Sequence, residues 1–226
     1  MQEFELLSLS HFLGFSICLA AIVFIPKAIQ SKPGLENFSK YLLVILLIEN
    51  QIRSTYIETW IKGGNLLENL PLHLCDFSAI VIAAFLLTGF RPLFIFAYFW
   101  GIAGAGMSIL TPDSEFAFPH YEYFATMYGH SLILLAVVFS IVNLGQRPYL
   151  RDIPKLILYS SILLVIMYGI NFILGANYWY LNERPYGDNI LSLMPEPPVH
   201  MFIPVSYTHL RAHETEADLV CRLLLE

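Results

Sequence analysis

An all-α, polytopic bundle of membrane-spanning helices is the fold this sequence predicts, on three observations. Hydrophobic residues make up 57% of the 226 and charged residues only 13%, where a soluble domain carries about a quarter charged. Mean hydropathy is +0.62. The apolar residues gather in six segments, each close to the ~20 residues that a helix needs to cross a bilayer.

The first segment runs from Leu9 to Pro26 and the second from Phe38 to Trp60. The third spans Pro71 to Phe90, the fourth Pro92 to Leu110, the fifth Tyr121 to Leu144 and the sixth Ile153 to Ala176. Between them lie "KPG", "KGGN", "RP", "TPDSE", "GQRP" and "NERPYGDN", the glycine, proline and charge punctuation that ends helices. Proline at the opening turn of the third, fourth and sixth segments suits N1, where a helix needs no N–H.

Charge in the loops sets the orientation. Lys27, Lys32 and Lys40 follow the first segment, Arg91 the third, and Arg147, Arg151 and Lys155 the fifth. The opposite side has Lys62 and Arg184, with Arg53 inside the second segment. Basic loops stay in the cytoplasm, so the N-terminus is expected outside.

The C-terminus breaks the pattern. After "PEPPVHMFIP" a seventh span is due, but "VSYTHLRAHETEADLVCRLLLE" follows. Its charges cost a few kcal/mol each at the centre of a bilayer, so it cannot insert. It resembles a translated adaptor tail. The expected organisation is one helical domain over residues 1–204, with six of seven spans present, and a foreign tail over 205–226 that includes His209, His213 and Cys221.

Several function classes drop out. There is no basic patch interleaved with aromatics, so no nucleic-acid partner is expected. The net charge of −6 says little, since the acid sits in short loops and near the C-terminus. The opening "MQEFELLSLSH" is acidic, unlike the basic start of a signal peptide. Cys18, Cys75 and Cys221 have neither disulfide-framework nor zinc-motif spacing.

Ionisable groups inside spans are functional candidates by default. Given the orientation, nearly all of them fall in the outer half. His11 opens the first helix, and Glu49, Asn50 and Arg53 lie in the outward part of the second. His73, Cys75 and Asp76 open the third. "SILTPDSEF" ends the fourth, "FPHYEYF" opens the fifth, and "NFILGANYWYLNERP" ends the sixth. His130 lies roughly 13 Å below Tyr121, at 1.5 Å per residue. This convergence suggests an outward-facing polar cavity.

Bland readings compete at several places. Glu49 and Arg53 are i,i+4 and can pair with each other. "GIAGAGMS", with Gly101, Gly104, Ala105 and Ser108, reads as close helix packing. Cys18 sits among apolar residues as a small hydrophobe. Cys75 differs, because it lies in the first turn of a helix, where the dipole favours a thiolate. His73, two residues away, diverges around the helix and is a poor base; with Asp76 at i,i+3 it can form a pair of its own. His130, a lone histidine in the fifth span, is the better base, and His120 stands nearer the mouth. A metal on His73, His130 and Asp113 or Cys75 would match no compact motif, so neither metal nor cofactor is expected.

At "LPLHLCDFSAI", "AYFWGIAGAGMSILTPDSEFAFPHYEYF", "YGHSLILL" and "GANYWYLNERP" the chain resembles the YwaF-type integral membrane family, which is similar to the transmembrane protein 164 group. The resemblance covers essentially Met1 to Pro204 and implies a seven-helix protein. It also implies a cysteine-dependent acyltransferase, since the eukaryotic relatives move fatty acyl chains on lysophospholipids. The third-helix cysteine of that group matches Cys75, and a fifth-helix histidine looks like His130.

The expectation is therefore an intramembrane acyltransferase or lipid hydrolase acting on (lyso)phospholipid acyl chains, with membrane lipids as its partners. Cys75 would be the nucleophile and His130 the base. His73 or Asn177 would help an oxyanion hole, and Glu49 with Arg53 would set the charge of the cavity or hold a headgroup. The alternative is a transporter or ligand-binding membrane protein that uses the same outward-facing cavity. A scaffold whose histidines only lock helices together is a third. The expected location is the plasma membrane of a bacterium.

Overall fold

The computed structural model describes residues 4–6, 8–112, 114 and 116–183. The expected tail, Asp113 and Arg184 lie outside the described residues. The chain divides into two compact units, Met1–Arg147 and Pro148–Glu226.

The first unit holds α1 (Leu9–Ile29), α2 (Pro33–Tyr56), α3 (Leu74–Thr88), α4 (Arg91–Leu110) and α5 (Tyr121–Val142). The second begins with a 3₁₀ turn at Leu150–Asp152, continues into α6 (Ile153–Leu174) and ends its described part in a 3₁₀ turn at Tyr178–Tyr180. All the described regular elements are helical, as expected of a helical membrane bundle.

Local chemistry sets the boundaries. The Ser8 hydroxyl accepts from the His11 N–H at the start of α1, and proline stands in the first turn of α2, α4 and α6. Gly89 and Gly175 end α3 and α6 at φ 69° and 65°, left-handed positions that a side chain resists. Pro71 departs from the expectation. The N-cap of α3 is His73, so Pro71 lies ahead of the helix.

Among the described residues four helices are long and apolar enough to cross a membrane: α1, α4, α5 and the continuous run Leu150–Leu174. The two other expected spans differ from these. α3 has only 15 residues, about 22 Å of helix against a hydrocarbon core of about 30 Å, because the chain enters it through the non-helical Leu70–Pro71–Leu72 approach. α2 has 24 residues, but Glu36, Lys40, Glu49 and Arg53 lower its hydropathy. It ends in a π-helical turn, Ile57–Ile61, where the Lys62 N–H reaches back to the Ile57 carbonyl.

Contacts at the two ends fix the up-and-down order of the first unit. At one end the His11 ring bonds the Leu110 carbonyl, joining the start of α1 to the finish of α4. There too Arg53 bonds Tyr121, joining the finish of α2 to the start of α5. At the other end Gln30 donates to the Val142 carbonyl and Asn143 to the Glu36 carboxylate, while Arg91 donates to the Arg147 carbonyl. The basic loops of this unit thus gather opposite the polar cluster.

Leu47, Ile82, Phe85, Phe94, Ala97, Val137 and Phe139 are buried at the centre, where α3 packs on α2, α4 and α5. Apolar side chains also face outward, such as Ile17 and Phe24 on α1 and Val165 and Phe172 on α6, which suits lipid. The buried hydroxyls of Ser78 and Ser140 are satisfied locally. Ser78 donates to the Leu74 carbonyl and Ser140 to that of Ala136, one turn back in each case.

Candidate functional site

Glu49 and Arg53 lie on α2, His73 and Cys75 at the start of α3 and His130 on α5, all in the first unit. Cys75 is the second residue of α3 and a free thiol, half-buried. Its sulfur seats against α4 where Gly104 has no side chain: a Cβ there would stand 3.2 Å from Sγ. The Ser108 hydroxyl, one turn further along α4, lies near the thiol and donates to the Gly104 carbonyl at 3.0 Å. The small-residue stretch of α4 therefore does two things. Gly101 lets α4 approach Ile133 of α5, 3.1 Å from where its Cβ would be, and Gly104 makes the notch for the thiol.

His73 and Asp76 pair as their i,i+3 spacing suggests, but through the backbone. The Asp76 carboxylate accepts from the His73 N–H at 3.1 Å, and the two form a capping box. That orders the turn carrying Cys75 and places acid at the positive end of the helix.

His130 lies on α5, half-buried. Its Nδ1 is 2.7 Å from the Thr126 carbonyl. A carbonyl oxygen only accepts, so Nδ1 carries the proton and a neutral ring keeps its lone pair on Nε2. Among the described residues Nε2 has no hydrogen-bond partner. His120 is instead the N-cap of α5: its Nδ1 accepts from the Glu122 N–H at 3.3 Å, and its ring lies 4.6 Å from that of Phe116.

Glu49 and Arg53 form the expected i,i+4 pair at 3.0 Å. Arg53 does more than pair. It donates to the Tyr121 hydroxyl and, at 2.6 Å, to the Asn50 side chain. The Asn50 amide lies against α5 where Gly129 leaves room, 2.9 Å from where its Cβ would be. Nearer the surface, Lys62 bridges Glu58 at 3.1 Å and Glu122 at 2.7 Å. Burial pulls the Lys62 ammonium down, but the two carboxylates outweigh it and hold it above its ordinary value. A groove runs along α2, with Val44, Ile45, Ile48, Ile52 and Tyr56 as its walls and Glu49 and Arg53 as its polar part.

Asn177 lies in the second unit. Its amide donates to the Glu183 carbonyl at 2.8 Å and accepts from the Asn182 and Glu183 N–H groups, so it organises its own loop. Just before it, the buried Asn171 exchanges two 2.8 Å bonds with the Tyr178 backbone. Sequence reasoning passed over Asn171, although an amide near the apolar end of α6 is a signal. It also missed Ser108 as a partner of the thiol. Among the described residues no three His, Cys, Asp or Glu side chains converge as metal ligands.

The sequence pattern of the TMEM164 family matches residues 3–208. An uncharacterized protein of Treponema pallidum (strain Nichols) is 27% identical over 179 residues, which cover 77% of this chain and 74% of that protein. No solved structure matches.

Proposed function

The chain belongs to the TMEM164 family of membrane proteins, and from that premise we propose that it transfers or hydrolyses fatty acyl groups of phospholipids through Cys75. His130 Nε2 takes the proton of the thiol as Sγ attacks the ester carbonyl. The C–O bond breaks, the acyl group stays on sulfur as a thioester, and His130 gives its proton to the departing alcohol. A second hydroxyl, from a lysolipid or water, loses its proton to His130 and attacks the thioester. Sγ leaves as thiolate and recovers the proton. Backbone N–H groups in the first turn of α3 stabilise the developing oxyanion, with His73 beside them. Glu49 and Arg53 are the groups for a headgroup.

The observation that carries the reading is the tautomer of His130. The Thr126 carbonyl holds the proton on Nδ1 and leaves Nε2 as a base. The test is lysophospholipid acylation by the purified protein in lipid vesicles, alongside labelling by a thiol-reactive probe. Cys75→Ala is expected to abolish both. Full acylation in Cys75→Ala overturns the enzyme.

The α2 groove, with a charge pair among apolar walls, favours a second reading as a binder or transporter of a small charged ligand. Uptake into vesicles that survives Cys75→Ala and fails in Arg53→Met would select it.

A further inference from the structure

A second polar site lies between α1, the end of α4 and the start of α5, apart from Cys75. His11, on the first turn of α1, is 4% exposed and Tyr123, in the first turn of α5, is 3% exposed. The His11 Nε2 lies 3.2 Å from the Leu110 carbonyl. That oxygen can only accept, so Nε2 carries the proton and Nδ1 of the neutral ring offers a lone pair. Nδ1 is buried and has no partner among the described residues. The Tyr123 hydroxyl is likewise buried without a partner.

The two side chains are neighbours. The rings meet edge-on with centroids 6.5 Å apart. Phe4 lies over both, 5.3 Å from His11 and 5.9 Å from Tyr123, and Phe15 flanks His11 at 6.4 Å. The Tyr123 oxygen projects at α1 where Gly14 lacks a side chain; a Cβ there would stand 2.5 Å away. Aromatic rings thus flank an acceptor that needs a donor and a donor that needs an acceptor. Leaving both unmade is expensive in such surroundings.

We propose that His11 and Tyr123 bind one hydroxyl group between them. The guest accepts from the Tyr123 O–H and donates its own proton to His11 Nδ1. The demand is selective. An ammonium cannot accept from Tyr123, and a carboxylate or ester carbonyl cannot donate to Nδ1. A hydroxyl does both, and it has two sources: water, or the alcohol of an amphiphile such as a glycerol ester.

The test uses the full chain in lauryldimethylamine oxide, a detergent without hydroxyls, and follows thermal unfolding. Tyr123→Phe removes one oxygen. With a guest present it lowers Tm by about 2–5 °C; an unchanged or raised Tm means the oxygen had no partner and overturns the site. His11→Phe and Tyr123→Phe together are expected to cost less than their sum, and additive losses overturn a shared guest. Adding 1-monooctanoylglycerol distinguishes the sources, with methyl octanoate as the ester without a hydroxyl. A rise in Tm with the first alone, lost in Tyr123→Phe, assigns the amphiphile. No rise with either, together with non-additive losses, assigns water. Should the variants fail to fold, ¹⁵N shifts of His11 in the wild-type protein decide: Nδ1 unprotonated and hydrogen-bonded supports the site, unprotonated and free overturns it. A direct Tyr123–His11 hydrogen bond in an experimental structure also overturns it.

Discussion

Two of the seams in the first unit treat their polar atoms in opposite ways. Between α3 and α4 one thiol sits in a notch at Gly104, with the Ser108 hydroxyl beside it and apolar packing around. Between α2 and α5 the polar groups are many and mutually committed. Arg53 holds Glu49, Asn50 and Tyr121, and Lys62 holds Glu58 and Glu122. The second seam is a clasp, where removing a member leaves a partner uncompensated. The first seats the thiol that we propose as the nucleophile against Gly104. In both, a glycine admits the polar atom, Gly104 for Cys75 and Gly129 for Asn50.

Substitutions can break this contrast, and the largest expected effect belongs to the proposed base. His130→Gln is expected to lower lysolipid acylation by about 10²- to 10⁴-fold with little loss of Tm, and unchanged rates would remove His130 from the reaction. Arg53→Met in the clasp works the other way. It should lower unfolding stability by about 2 kcal/mol, the scale of hydrogen bonds to a charged group. Adding Glu49→Met should recover part of that, since the stranded carboxylate goes too; chemical denaturation reads both.

Gly104→Ala sharpens the first seam. Its Cβ would stand 3.2 Å from Sγ and push the thiol by a few tenths of an ångström. We expect about tenfold slower acylation with stability nearly kept, whereas equal losses of both would make the notch mere packing. Lys62→Ala is the smallest change, below about 1 kcal/mol for so exposed a bridge. The raised value of Lys62 means its contribution is complete below 10.5 and fades as pH climbs through that raised value. A wild-type advantage over Lys62→Ala that vanished on acidification to pH 8 would contradict the bridge.

Much of this was legible in the chain because it is local. The helix bounds follow apolar runs and their glycine and proline stops. The Glu49–Arg53 pair and the His73–Asp76 box follow from i,i+4 and i,i+3 spacing. The shortness of α3 was not legible, because "LPLHL" is as apolar as a helix and only backbone geometry excludes it. Contacts across seams were not legible either. That Gly104 faces Cys75, Gly129 faces Asn50 and Gly14 faces Tyr123 depends on the rotation of each helix against its neighbour, which no local period encodes. Of these glycines the sequence marks only Gly104, as a small residue for packing.

The most direct test is the covalent intermediate. The purified protein is incubated with a diacyl phospholipid, quenched with acid, and digested for mass spectrometry of the peptide that contains Cys75. The expected result is an acyl group on Cys75, released by hydroxylamine as a thioester and strongly reduced in His130→Gln. An unacylated Cys75 in protein that is turning over phospholipid would contradict the mechanism.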